Sequence, residues 1–146
     1  MKVLFVCTGN TCRSPMAEAL LRAGNFHGQV ASCGLGAADG LPASDYAIEA
    51  VAELGGALTG HRSQRVKDEL VAEADLILTM TQAHKRALVA KFPEARERIY
   101  TLSEYVGEAE EVADPFAGTL ETYRRTARQL AKLLEKLIKK LELKEK

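Results

Sequence analysis

The sequence contains no tryptophan, and only 5% of its residues are aromatic. A surface that stacks nucleic-acid bases needs aromatic side chains, so this scarcity argues against one. Neither sign of charge is in excess, because 20 lysine and arginine residues balance 20 aspartate and glutamate residues. No overall charge therefore draws the chain to nucleic acid or to a membrane. The apolar run near the N-terminus covers only residues 3–6, which predicts neither a signal peptide nor a membrane span.

Cysteine and histidine are also scarce, with three residues of each. An odd number of cysteines without the spacing of a disulfide framework is typical of a protein in a reducing cytoplasm. No cluster of ligand side chains stands out, so we expect neither a metal site nor a cofactor. The length of 146 residues predicts a single domain spanning residues 1–146, and we expect it to act as a monomer.

The most informative segment begins directly after the apolar run. It reads Cys7-Thr8-Gly9-Asn10-Thr11-Cys12-Arg13-Ser14-Pro15. A strand, a tight loop and a helix in this order aim backbone N–H groups and the positive end of a helix dipole at an anion. Gly9 and Asn10 tolerate a positive φ, so the loop can turn its amides inward. Ser14 is predicted as the N-cap of the helix, and Pro15 as its first residue.

A thiol opens this anion cradle and a guanidinium closes it. A cysteine beside an arginine at a helix N-terminus is favoured in its nucleophilic thiolate form. The Arg13 side chain offers a planar fork of donors that suits a tetrahedral oxyanion such as phosphate. A nucleophilic Cys7 in a phosphate cradle predicts phosphoryl transfer to sulfur, and the alternative is a loop with a purely structural role.

Apolar runs and helical periodicities alternate along the remainder of the chain. Strands are predicted at residues 2–6, 30–33, 75–80 and 98–102, helices at 14–24, 43–54, 66–73, 82–92 and 120–141, and a long loop at 103–118. This alternation implies an α/β fold, namely a flavodoxin-like three-layer sandwich with four parallel strands in the order 2-1-3-4 and helices on both faces. The loops after the strands would meet in one crevice, which brings Asp114 beside Cys7.

The N-terminal cradle, together with Asp114-Pro115-Phe116 late in the chain, resembles the low-molecular-weight protein tyrosine phosphatases over essentially the whole length. The similarity is greatest to their bacterial protein-arginine phosphatase branch, with further matches at Met80-Thr81, His84-Lys85, Leu102 and Glu104-Tyr105-Val106. The resemblance implies that Cys7 is the nucleophile, Arg13 the phosphate clamp and Asp114 the general acid. It implies that the phosphate is bound by Thr8, Gly9, Asn10, Thr11, Cys12 and Ser14, and that this loop is supported by Asn10, Ser14, Ser32 and His61.

Thr11 marks the branch, because tyrosine phosphatases of this size usually carry isoleucine at that position. Phe116 is then expected to pack on the flat guanidinium of a substrate or on its aliphatic stem. Ala117 stands where tyrosine-directed relatives often have a second aromatic residue. The resemblance thus implies a protein phosphatase with a cysteinyl-phosphate intermediate that removes phosphate from phosphoarginine in proteins. Phosphotyrosine in proteins is the alternative substrate.

Other interpretations stay open at this point. Arsenate reduction in its thioredoxin-coupled form needs a further cysteine pair, and no cysteine follows Cys33, which is predicted as a core residue. A phosphoprotein-binding module without turnover would need no acid such as Asp114. Cys12 is either a small buried filler or a second thiol that bonds to Cys7 on oxidation. His84 is predicted as a surface residue.

Overall fold

Four parallel strands form the centre of the computed structural model, which describes residues 1–145. The strands are β1 (Lys2–Cys7), β2 (Gln29–Gly34), β3 (Leu76–Thr79) and β4 (Ile99–Thr101). They pair in the order β2-β1-β3-β4, and each neighbouring pair is parallel. The predicted order 2-1-3-4 is therefore confirmed, with β1 inside the sheet.

Helices cover both faces of this sheet. They are α1 (Arg13–Ala23), α2 (Asp45–Ala52), α3 (Asp68–Glu73), α4 (Gln82–Lys91), α5 (Leu102–Tyr105) and α6 (Leu120–Glu145), with a 3-10 helix at Pro93–Arg98. Buried side chains of α1, α2 and α6 form one core, and those of α3 and α4 contribute to the other. Within residues 1–145, no helix has both the length and the apolar character required to span a membrane.

The two cores are separated by the alternation of side chains along β1. Val3 and Phe5 belong to the core under α1 and α6, whereas Leu4 and Val6 belong to the core under α3 and α4. Successive side chains of a strand point to opposite faces, so a continuous apolar run is what a strand covered on both faces requires. The predicted three-layer sandwich is confirmed.

The start of α1 differs from the prediction. Arg13 is the first helical residue, Cys12 occupies the N-cap position, and no side chain caps the helix. Ser14 lies inside the first turn, because its hydroxyl is engaged by the Cys7 sulfur and the Asn10 amide instead. Pro15 follows within that turn, where its missing N–H costs nothing because the first four helical N–H groups lack intrahelical partners.

The predicted loop of residues 103–118 starts with an unpredicted helical turn, α5. Its origin is a capping box: Glu104 N donates to Thr101 Oγ1 at 3.0 Å, and Thr101 N donates to Glu104 Oε2 at 2.7 Å. The chain then leaves α5 as a loop that reaches α6 at Leu120. This loop carries Asp114 towards the carboxyl end of β1.

Candidate active site

The carboxyl end of β1 runs into a tight loop that forms one wall of a cavity of about 250 Å³. The cavity is lined by Cys7, Thr8, Gly9, Asn10, Thr11, Cys12, Arg13, Asp114 and Phe116. The three residues predicted to be catalytic therefore face the same space, although Asp114 is remote from the others in sequence. Phe116 is 74% exposed at this cavity and is free to contact a bound molecule.

Backbone N–H groups of the loop are available to bind an anion. Within residues 1–145, the N–H groups of residues 8–12 donate to no protein acceptor. The N–H group of Arg13 lies in the first turn of α1, where backbone N–H groups have no intrahelical partner. Asn10 adopts the left-handed conformation with φ 56°, whereas Gly9, which would also tolerate a positive φ, does not. The positive end of the α1 dipole reinforces the preference of this loop for negative charge.

The Cys7 thiol is buried, with only 3% of the residue exposed, and is held by a side chain of α1. Its sulfur lies 2.8 Å from Ser14 Oγ. Ser14 Oγ accepts a hydrogen bond from Asn10 Nδ2 at 2.9 Å, and its own proton has two acceptors within reach, the sulfur at 2.8 Å and the Cys33 carbonyl at 3.4 Å, of which the sulfur is the nearer. A hydroxyl that donates to sulfur stabilises a thiolate and makes the sulfur a better leaving group.

Asn10 is the centre of the network behind the loop. Its side-chain nitrogen also donates to Ser32 Oγ at 2.9 Å, and its side-chain oxygen accepts from Gln64 N at 2.9 Å. Its backbone carbonyl accepts from His61 Nε2 at 2.7 Å. The structure thus places Ser32 and His61, two of the predicted supporting residues, in contact with one fully buried asparagine. These bonds hold the loop in its left-handed turn.

Arg13 joins the anion loop to the segment that carries Asp114. The guanidinium is almost fully buried and donates from Nη1 to the carbonyl of Val112 at 3.1 Å. Its Nη2 lies 3.5 Å from Asp114 Oδ2, and the Asp114 side chain remains 56% exposed. The other carboxylate oxygen, Oδ1, accepts from Phe116 N at 3.0 Å. Arg13 therefore positions a carboxyl group at the mouth of the cavity that holds the thiol.

The Asp114 segment has further anchors that sequence reasoning missed. Val112 N donates to the carbonyl of Met80, at the end of β3, at 3.2 Å. Gln129 on α6 holds the segment from the other side, since its Nε2 donates to the carbonyl of Glu111 at 2.9 Å and its Oε1 accepts from Ala113 N at 3.4 Å. A glutamine on a helix face gives no sequence signal for this role.

His84 also lies at the site, so the prediction of a surface position was wrong. Only 8% of it is exposed, and its Nε2 is 2.9 Å from Thr8 Oγ1. Burial lowers the pKa of His84 below the ordinary value of 6.5, and the Arg13 charge lowers it further against the opposing carboxylates of Asp114 and Glu111. The sequence could have indicated this position, because His84 lies in the first turn of the helix that follows β3, and that turn faces the crevice.

The remaining two cysteines have different surroundings. Cys33 is fully buried, and burial, followed by the nearby Cys7, raises the pKa of its thiol to about 12, so it stays protonated and inert as predicted for a core residue. Cys12 lines the cavity, with its sulfur 3.4 Å from the Tyr123 hydroxyl. Burial, and then the hydrogen bond with Cys12, raise the pKa of Tyr123 to about 12.

Gly34 offers a test of how closely the loop is packed. A Cβ on Gly34 would lie 2.4 Å from the Thr8 carbonyl oxygen and 3.0 Å from Asn10 N, whereas a Cβ on Gly36 would meet nothing within 4 Å. We expect Gly34→Ala to displace the loop and lower kcat/KM for any phosphate ester by about 100-fold, since misplacement of about 1 Å has that effect. Gly36→Ala should retain wild-type activity. Equal activity of the two variants would show that the loop tolerates movement.

Within residues 1–145, no group of three or more histidine, cysteine, aspartate or glutamate side chains is placed to hold a metal ion. The groups at the cavity are instead two thiols, a guanidinium, a carboxyl group and backbone amides that have no protein acceptor within residues 1–145. This set of groups is suited to binding a tetrahedral oxyanion, transferring it to sulfur and protonating the leaving group.

Comparison with known proteins agrees with this geometry. The family model described as low molecular weight phosphotyrosine protein phosphatase matches residues 2–146. The chain is 46% identical over 125 residues to the protein-arginine-phosphatase of Geobacillus stearothermophilus, covering 84% of each chain. It is 43% identical over 126 residues to the low molecular weight protein-tyrosine-phosphatase PtpB of Staphylococcus haemolyticus, covering 86% of this chain and 89% of that one.

A solved structure is also similar to the chain. It is the C7S mutant of YwlE arginine phosphatase with a phosphorylated active site serine. It superposes with a TM-score of 0.93 at 41% identity, covering 97% of this chain and 96% of that chain. The fold, the geometry of the cavity and these similarities agree, and the chain belongs to the low molecular weight phosphotyrosine protein phosphatase family.

Proposed function

We propose that this protein is a cysteine-dependent protein phosphatase that removes phosphate from phosphoarginine. The observation that carries the proposal is the meeting of Cys7, Arg13 and Asp114 in one cavity of about 250 Å³, beside backbone amides that have no protein acceptor in the described part of the chain, residues 1–145. A binding module would need the amides and Arg13 but not a nucleophile facing a carboxyl group.

In the first step, the Cys7 thiolate attacks phosphorus in line with the departing nitrogen. The S–P bond forms as the P–N bond breaks, and the electron pair of the P–N bond stays on the guanidine nitrogen. Asp114, in its protonated form, gives that nitrogen a proton, which avoids expelling an anion. The loop amides and the Arg13 fork bind the equatorial oxygens, where the negative charge of the transition state is spread.

In the second step, water attacks the cysteinyl-phosphate. The Asp114 carboxylate takes a proton from the water as the O–P bond forms. The S–P bond breaks and its electron pair returns to Cys7, where the Ser14 hydroxyl stabilises the sulfur at 2.8 Å. Inorganic phosphate leaves, Asp114 is protonated again, and the enzyme has returned to its initial state.

Two features support phosphoarginine as the preferred substrate. Thr11 lines the cavity, and a side chain with a hydroxyl group suits a polar guanidinium better than an aryl ring. The Geobacillus relative at 46% identity is named a protein-arginine-phosphatase. The staphylococcal relative at 43% identity is named a protein-tyrosine-phosphatase, and it supports phosphotyrosine as the second candidate substrate.

Substitution of Thr11 separates the two substrates. We expect the wild-type enzyme to release phosphate from a phosphoarginine-labelled protein faster than from a phosphotyrosine-labelled one. Thr11→Ile should shift the ratio of the two kcat/KM values towards phosphotyrosine by about 10-fold, because it replaces a polar contact by an apolar one in the pocket. Thr59→Ile, on an exposed loop, is the matched control. A wild-type preference for phosphotyrosine that Thr11→Ile leaves unchanged would contradict the assignment.

We infer that the partners are phosphorylated proteins, and that the enzyme acts as a monomeric single domain in the cytoplasm. The balanced charge and the three free cysteines support a reducing compartment and no role on nucleic acid or at a membrane surface.

A further inference from the structure

His84 and Thr8 make a contact that the proposed mechanism does not use. His84 Nε2 lies 2.9 Å from Thr8 Oγ1, and within residues 1–145 the Thr8 hydroxyl has no other hydrogen-bond partner. Thr8 directly follows the Cys7 nucleophile and lines the same cavity. The imidazole is therefore placed to decide which way the Thr8 hydroxyl proton points.

The second ring nitrogen determines the tautomer. Within residues 1–145, His84 Nδ1 is buried without a hydrogen-bond partner. A neutral imidazole has one proton to place, and a buried N–H without an acceptor is rarer and costlier than an unused lone pair. The proton therefore belongs on Nε2, where Thr8 Oγ1 accepts it.

The charges around the ring favour the neutral form. Burial is the main cause that lowers the pKa of His84, the Arg13 charge lowers it further, and Asp114 and Glu111 only partly offset these effects. A doubly protonated ring would also leave the buried Nδ1–H without an acceptor. His84 thus acts as a fixed neutral donor to Thr8.

We propose that His84 is a positioning residue: by donating from Nε2 to Thr8 Oγ1, it turns the Thr8 hydroxyl proton into the cavity to donate to a phosphoryl oxygen. This role of His84 rests on one part of the proposed function, namely that the cavity binds a phosphoryl group. The Thr8 oxygen accepts from His84, so its own proton is left for another acceptor, and Thr8 is exposed and lines the cavity.

Four variants test the proposal, with para-nitrophenyl phosphate as substrate and orthovanadate as inhibitor. His84→Leu and Thr8→Val should each lower kcat/KM and weaken orthovanadate binding by about 10-fold, the equivalent of one hydrogen bond. The double variant should lose no more than either single variant, because the two residues act as one unit. His84→Gln, whose amide can still donate to Thr8, should recover most of the loss. His27→Leu, at an exposed histidine, is the control.

Losses that multiply in the double variant, or a His84→Leu variant with wild-type constants, would overturn the proposal. Because His84→Leu changes a buried residue, Thr8→Val provides a comparison that leaves the core intact, and melting temperatures identify any variant that fails to fold. Equal losses in His84→Gln and His84→Leu would indicate a packing role instead.

The ring tautomer of His84, and its response to a bound oxyanion, can be measured directly, and a purely structural role would not produce that response. In the ¹⁵N spectrum of the histidine rings, we expect His84 to be the Nε2–H form at neutral pH, with the Nε2–H signal shifting when orthovanadate binds. The Nδ1–H form would contradict the proposal. Neither this spectrum nor the use of an aryl phosphate depends on a preference for phosphoarginine, so the proposed substrate can fail while this inference stands, and the reverse.

Discussion

Cys7→Ser is expected to abolish turnover while leaving oxyanion binding intact. The hydroxyl of serine is a far weaker nucleophile than a thiolate, and a phosphate ester on oxygen hydrolyses poorly. We expect kcat to fall by about 10⁴-fold or more. The loop amides and Arg13 are unchanged by the substitution, so the dissociation constant of inorganic phosphate should change by less than about 3-fold. Steady-state kinetics and phosphate titration measure the two quantities.

Cys33→Ala is the matched control for this substitution. Cys33 is fully buried, its thiol stays protonated, and it does not line the cavity. That variant should keep the wild-type kcat even if it loses some stability through the small cavity it creates. Turnover by Cys7→Ser at the wild-type rate would remove Cys7 from the mechanism.

The second large effect is expected for Asp114→Asn. An amide cannot protonate the leaving nitrogen, so kcat on a phosphoarginine protein should fall by about 10³-fold, within the range for loss of a general acid. The loss should be smaller on para-nitrophenyl phosphate, because nitrophenolate leaves readily without a proton. The side-chain shape is kept, and the Asp114 Oδ1 contact with Phe116 N can be retained by the amide oxygen.

Comparison of the two substrates makes this prediction specific to proton donation. Asp68→Asn, at an exposed carboxylate on α3, should leave both rates unchanged. If Asp114→Asn lowered kcat equally on para-nitrophenyl phosphate and on the phosphoarginine protein, Asp114 would serve to position the substrate. No loss on either would exclude the residue from catalysis.

The fold was largely predictable because short-range patterns determine it. The apolar run of β1 predicts a strand covered on both faces, and the alternation with amphipathic helices predicts the parallel order that the structure has. The same reasoning predicts that Asp114 reaches the cavity of Cys7, because loops after parallel strands converge at one edge.

The errors come from residues whose local preference is overridden by long-range contacts. Ser14 has the chemistry of an N-cap, but a hydrogen bond to Cys7 engages its hydroxyl. His84 follows Thr81, Gln82 and Ala83 at the start of α4, where the local sequence does not indicate burial, and the structure places it against Thr8, which is remote in sequence.

Long-range contacts of this sort cannot be predicted from a single sequence. Gln129 lies on an amphipathic helix and is distinguished only by its bonds to Glu111 and Ala113. Gly34 belongs to a glycine-rich stretch in which only the structure shows which glycine abuts the loop. Positions that share a spacing pattern can thus differ completely in what they contact.

The most direct test of the account is to locate the phosphate during turnover. A protein carrying radiolabelled phosphoarginine is mixed with the enzyme, the reaction is quenched within one turnover in alkaline detergent, in which the P–N and S–P bonds survive, and the labelled enzyme peptide is identified. The account predicts label on Cys7 of the wild-type chain, and none on the enzyme after Cys7→Ala. Label on another residue, or phosphate release without any labelled enzyme, would contradict it.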